Sequence, residues 1–87
     1  MIPAEMVLGF FSSAKNGGRR VKISGTENGT IKGAIRDVKM ENRVITVDIE
    51  GEIVVIDMNV CEAKTSFWDH RVLHVRGGED SFKIQLA

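Results

Sequence analysis

Asn16-Gly17-Gly18-Arg19-Arg20-Val21-Lys22-Ile23-Ser24 is the stretch on which the fold turns. Before it, apolar residues recur every three or four positions. After it, they recur every two. Upstream, Ile2, Met6, Val7, Phe10, Phe11 and Ala14 form one apolar stripe at helical spacing, so residues 2–15 read as a short helix. Pro3 suits its first turn, where a missing N–H costs nothing. The Asn-Gly-Gly run ends it. A helix with one apolar stripe must lie on a sheet or over the open end of a barrel.

Downstream, Val21 and Ile23 point one way while Arg20 and Lys22 point the other. Asn28-Gly29 is a hairpin signal, since both residue types tolerate positive φ. In the next strand, roughly 30–40, Ile31, Gly33 and Ile35 share one face and Lys32 and Arg36 the other. Gly33 in mid-strand predicts a tight bend or bulge. Met40-Glu41-Asn42 reads as a turn, and 44–49 alternates around Ile45, Val47 and Ile49. Glu50-Gly51 turns the chain into residues 51–60, apolar on both faces at their start. Residues 61–71 read as irregular, 72–76 as a strand, Gly77 to Asp80 as a turn, and 81–86 as a last strand with Phe82, Ile84 and Leu86 inward. The expectation is a mostly β, single-domain chain. A helix (1–16) precedes a small, strongly bent antiparallel barrel of five or six strands (20–87), closed or nearly so to hide its edges.

The chain has 87 residues, 43% hydrophobic and 28% charged, which suits one globular domain with one modest core. No apolar run approaches the ~20 residues of a membrane helix. The one cysteine, Cys61, cannot form an internal disulfide. With no secretory leader pattern, the expected compartment is the reducing cytoplasm. Net charge is zero, but it is unevenly spread. Residues 15–43 carry an excess of five positive charges, and residues 44–70 an excess of five negative ones, with Lys64 their single cation. Such a split permits a basic surface facing an anion, or head-to-tail self-association.

Catalytic signatures are absent, so no enzyme activity and no cofactor is expected. No phosphate-binding loop or dinucleotide fingerprint occurs. His70 and His74 would share a metal on a helix, but 72–76 reads as strand, where four residues span ~13 Å, so no metal is expected. Ser66 near Asp69-His70 has the residue types of a catalytic pair without evidence of its geometry. Cys61 reads as a buried structural thiol. Phe67 and Trp68 either stack a base or plug a barrel end. Arg76-Gly77 either clamps a phosphate or is a strand-end arginine before a turn glycine.

Several of these pieces, taken in order, resemble the Sm and Sm-like (Lsm) family, particularly its short archaeal members. Val21-Lys22-Ile23 and residues 29–35 are similar to its first two strands. Asp37-Val38-Lys39-Met40-Glu41-Asn42 resembles its Asp-x-x-Met-Asn loop with one extra residue, and residues 72–77 its second motif, an apolar strand ending in Arg-Gly. Three departures stand beside these. The stretch 42–76 is long, so residues 50–65 form an added hairpin or an extended bent pair. The interval from Gly33 to Asp37 is short. Lys39 stands where the family often has an aromatic or histidine for base stacking. A second register, with Gly51-Glu52-Ile53 and Asp57-Met58-Asn59 as the first motif, would strand the helix and first hairpin.

The resemblance implies a bent barrel, pairing of subunits through edge strands into a hexameric or heptameric ring, and single-stranded, uridine-rich RNA at the pore. The RNA-binding positions it implies are Asp37, Lys39, Met40, Asn42 and Arg43 in one loop and Arg76 and Gly77 in the other. The rival expectations are a barrel that only assembles with itself or a protein partner, and an accessory subunit of a larger enzyme.

Overall fold

The computed structural model describes residues 2–26, 29–65, 71–77 and 80–86. The Asn28 half of the first hairpin signal, the turn at Gly78-Glu79, and Ser66, Phe67, Trp68, Asp69 and His70 lie outside the described residues.

Helix α1 runs Ala4–Asn16. Pro3 is its N-cap, and the Pro3 carbonyl accepts hydrogen bonds from the N–H groups of Met6 (3.0 Å) and Val7 (3.3 Å). At the other end Arg19 N–H reaches the Ala14 carbonyl (2.9 Å) and Gly18 N–H the Lys15 carbonyl (3.1 Å), with Gly18 at φ 66. That pair of bonds is a Schellman cap, which needs a left-handed residue where this chain supplies glycine. Ala4, Val7, Phe11 and Ala14 form the buried stripe. Met6 points to solvent instead, and Ile2 precedes the helix and makes an isolated β-bridge to Ala63.

Among the described residues seven strands follow: β1 Arg20–Thr26, β2 Gly29–Glu41, β3 Val44–Ile49, β4 Glu52–Asp57, β5 Glu62–Thr65, β6 Val72–Gly77 and β7 Asp80–Leu86. They pair antiparallel in the order β4-β3-β2-β1-β7-β6-β5. The count exceeds the expected five or six, and the sheet is not closed: β4 and β5 lie at its two ends. The additional strand is β5, in a stretch whose sequence shows no alternation and whose only buried residue is Ala63. The apolar run 51–60 is strand only to Asp57, after which residues 58–60 turn. The turn expected at 40–42 falls instead at Asn42-Arg43, so Asp37 to Glu41 are strand, not loop.

β2 holds the architecture together. Its first half, to Ala34, pairs with β1; its second half, from Ile35, pairs with β3, with a register shift between Ile35 and Asp37. Just beyond Gly33, where a bend or bulge is predicted, β2 shows a register shift and a change of partner. It divides the sheet into a part β2-β1-β7-β6-β5 and a part β2-β3-β4. Between them lies one core that includes Phe11, Val21, Ile23, Ile45, Val47, Ile49, Ile56, Leu73, Val75 and Ile84. α1 packs chiefly on β2. No described helix is long and apolar enough to cross a membrane.

Candidate nucleic-acid interface

Of the residues nominated by the sequence, Asn42 and Arg43 form the β2–β3 hairpin turn, and Arg76 and Gly77 end β6. In that turn, Asn42 (φ 52) and Arg43 (φ 64) are both left-handed, which is the two-residue type I′ geometry that matches strand twist. Asparagine accepts this conformation readily; arginine does so only at a cost. The turn is braced by the segment after β4. Met58 N–H donates to the Arg43 carbonyl (2.8 Å) and the Asn59 side-chain amide to the Asn42 carbonyl (2.8 Å). The Arg43 guanidinium makes a long contact to the Met58 carbonyl (3.4 Å).

That same segment crosses the end of β6. A Cβ built on Gly77 would lie 2.1 Å from the Val60 carbonyl oxygen and 2.6 Å from Cys61 Cα. Gly77 is thus required by a backbone crossing, whatever Arg76 does. Residues 58–61 consequently tie the Asn42-Arg43 turn to the end of β6, with Cys61 buried beneath.

The other nominated residues scatter. Asp37 is exposed on β2, 3.9 Å from Lys15 Nζ, in a surface pair worth little. Met40 is half-buried against the core. Lys39 is exposed opposite Thr46 and lines a shallow groove of about 330 Å³ with Met40, Glu41, Asn42, Val44 and Thr46. One cation and one anion on that groove give it no net preference for charge.

A larger feature emerges from the pairing register. Lys64 on β5 is opposite His74 on β6, which is opposite Lys83 on β7, which is opposite Ser24 on β1. One row along, Lys22 on β1 is opposite Lys32 on β2. Arg76 lies two residues beyond His74 on the same face. Directly opposed residues share a face of the sheet, so five adjacent strands, each about 5 Å from the next, put cations on one solvent side. Lys32, Lys64, His74, Arg76 and Lys83 are exposed and Lys22 half-buried. Among the described residues the only acid on this face is Glu62, opposite Arg76, and neither it nor any other described carboxylate comes within ion-pair distance of these cations. Arg20, at the rim, is engaged by Glu50 at 3.7 Å.

Lys22 and Lys32 are directly opposed like charges, which cost stability unless a counter-ion offsets them. The opposite character gathers on the other part of the sheet, where Asp48, Glu50, Glu52 and Asp57 surround β3 and β4. No described aromatic lies on the basic face; Phe82 packs against the core. Among the described residues, no three His, Cys, Asp or Glu side chains converge into a metal-binding group.

Alternation along the sequence points Lys22 and Lys32 outward but does not bring Lys64, His74 and Lys83 beside them. Their union depends on β7 pairing with β1, which no local pattern signals. Compared with family models, with curated proteins and with solved structures, the chain matches none.

Proposed function

We propose that this chain is a non-catalytic, Sm-like small-barrel module that binds single-stranded RNA across the basic face of β5, β6, β7, β1 and the first half of β2. The single observation that carries the reading is the set of lysines without acidic partners among the described residues, Lys64 and Lys83 on either side of His74, continued by Lys22 and Lys32. Of the residues named from the sequence, Arg76 belongs to this face. Asn42 and Arg43 serve the hairpin and its brace, and Gly77 serves the crossing. Contacts to phosphates without stacking or base-edge hydrogen bonds carry little sequence information, so preference among bases is weak.

The test is a fluorescence anisotropy titration with a uridine-rich oligonucleotide at low salt. Lys22→Ala/Lys83→Ala weakens binding by an order of magnitude or more, while Asn42→Ala leaves it unchanged. Loss of binding in Asn42→Ala with a silent double variant would move the site to the hairpin turn. The outer edge of β4, which no described strand pairs, favours a second reading, an assembly module indifferent to RNA. Under that reading none of these variants changes anisotropy, because there is no binding to lose.

A further inference from the structure

β3 and β4 are joined by Glu50-Gly51, both at positive φ, and Ile49 is directly opposite Glu52. A two-residue turn of this type makes Ile49–Glu52 a hydrogen-bonded pair, and the pattern then alternates along the ladder. Glu52, Val54 and Ile56 direct their backbone groups to β3. Ile53, Val55 and Asp57 direct theirs away, to the open edge, where no described strand pairs with β4. The Asp57 carbonyl is engaged by Val60 and Cys61 N–H groups; those of Ile53 and Val55 have no such partner among the described residues. The side chains of Ile53 and Val55 are 56% and 55% exposed.

The two ends of the sheet are treated differently. At β5, Ile2 N–H donates to the Ala63 carbonyl (3.0 Å), and the strand carries Lys64. Both are ways in which proteins blunt an edge. β4 has no lysine, no proline, no bulge and no covering segment among the described residues. Head-to-tail assembly into a ring consumes both edges, and Ile2 occupies part of one. Pairing about a two-fold axis consumes β4 alone.

We propose that β4 pairs antiparallel with β4 of a second copy about a two-fold axis through Val54. The pleat allows only registers in which solvent-facing residues oppose solvent-facing ones, which rules out axes between residues. Centred on Val54, Ile53 of each copy opposes Val55 of the other. Their edge-directed groups form four backbone hydrogen bonds, and apolar side chains meet on both faces. Glu52 then opposes Ile56, and Gly51 opposes Asp57, so no two carboxylates face each other. Centred on Val55 instead, Ile53 would oppose Asp57. The product is a continuous six-stranded sheet, β2-β3-β4 from each copy, with both basic faces left open. The acidic flanks of the two copies repel at longer range, over a screening length of about 8 Å at physiological salt, so the dimer tightens as salt rises. A basic peptide added to the same edge would show the reverse.

Light scattering across concentration and salt tests this on the intact chain. The expected mass is twice 9.6 kDa. Val55→Lys and Ile53→Lys, both at exposed positions, return it to monomer with unchanged far-UV circular dichroism. A dimer that survives both substitutions, or that loosens with added salt, overturns the pairing. A mass of six or seven chains overturns it in favour of a ring, and a monomer at millimolar concentration overturns self-association through β4 altogether.

Discussion

Replacing Gly77 by alanine separates a structural from a ligand-binding role for the Arg-Gly pair. The new methyl would lie 2.1 Å from the Val60 carbonyl oxygen, against about 3.3 Å for a comfortable carbon–oxygen contact. Roughly 1 Å of movement is therefore needed, and the obstacle is backbone, which cannot swing aside like a side chain. Overpacking of this kind costs about 1–3 kcal/mol. Moving residues 58–61 also loosens the two bonds that brace the first hairpin, Met58 to Arg43 and Asn59 to Asn42, each contributing about 1 kcal/mol. The expected loss is thus about 2–4 kcal/mol, or a fall in Tm of about 10–25 °C for a chain of this size. Urea denaturation and differential scanning calorimetry measure it. Because Gly77 does not have a positive φ, the whole penalty comes from the crossing. A fall of less than about 4 °C would refute the crossing as the reason for glycine. RNA affinity, measured well below the new Tm, stays unchanged; loss of affinity at full stability would restore a direct role for the pair.

Salt dependence checks the basic face. With five cations engaged, log affinity for a single strand falls with log salt at a slope of about −3.5, and Lys64→Ala/Lys83→Ala reduces it to about −2. A slope near zero would remove phosphate contact from the account. Arg43→Gly relieves a left-handed arginine at a type I′ position and raises stability by up to about 1 kcal/mol, less the weak 3.4 Å contact it gives up, as read by urea midpoint. Phe11→Ala empties the centre of the helix stripe, where the side chain is fully buried, and destabilises by about 3–5 kcal/mol in the same assay.

The sequence is most informative where structure is local. The helix stripe around Val7, Phe11 and Ala14 stands out because its period is 3.6, and the alternation at Val21 and Ile23 because its period is two. The offset of the turn to Asn42-Arg43 is harder to see, since arginine is a poor left-handed residue and masks the hairpin signal. β5 is silent because only Ala63 of its four residues is buried, and one alanine makes no pattern. The basic face is hidden for a different reason. Lys64 lies within the most acidic third of the chain, and its true neighbours, His74 and Lys83, become neighbours only through strand pairing. Counting charge along the chain therefore assigns Lys64 to the wrong surface. Gly77 shows the same limit: a glycine demanded by a crossing backbone looks, in sequence, like any turn glycine or any motif glycine.

β7, the last of the described strands, sits between β1 and β6 in the middle of its part of the sheet. Its ladder to β1 joins Val21 to Leu86, 65 positions apart, so closing it costs roughly 3–4 kcal/mol of loop entropy before any contact repays it. During synthesis the helix and the first four strands emerge long before their central neighbour does. A nascent chain halted short of residue 80 would present β1, with Val21 and Ile23, as a second bare edge. The ribosome-bound intermediate is therefore stickier than the finished protein, and it is where a chaperone, or an aggregate, would take hold.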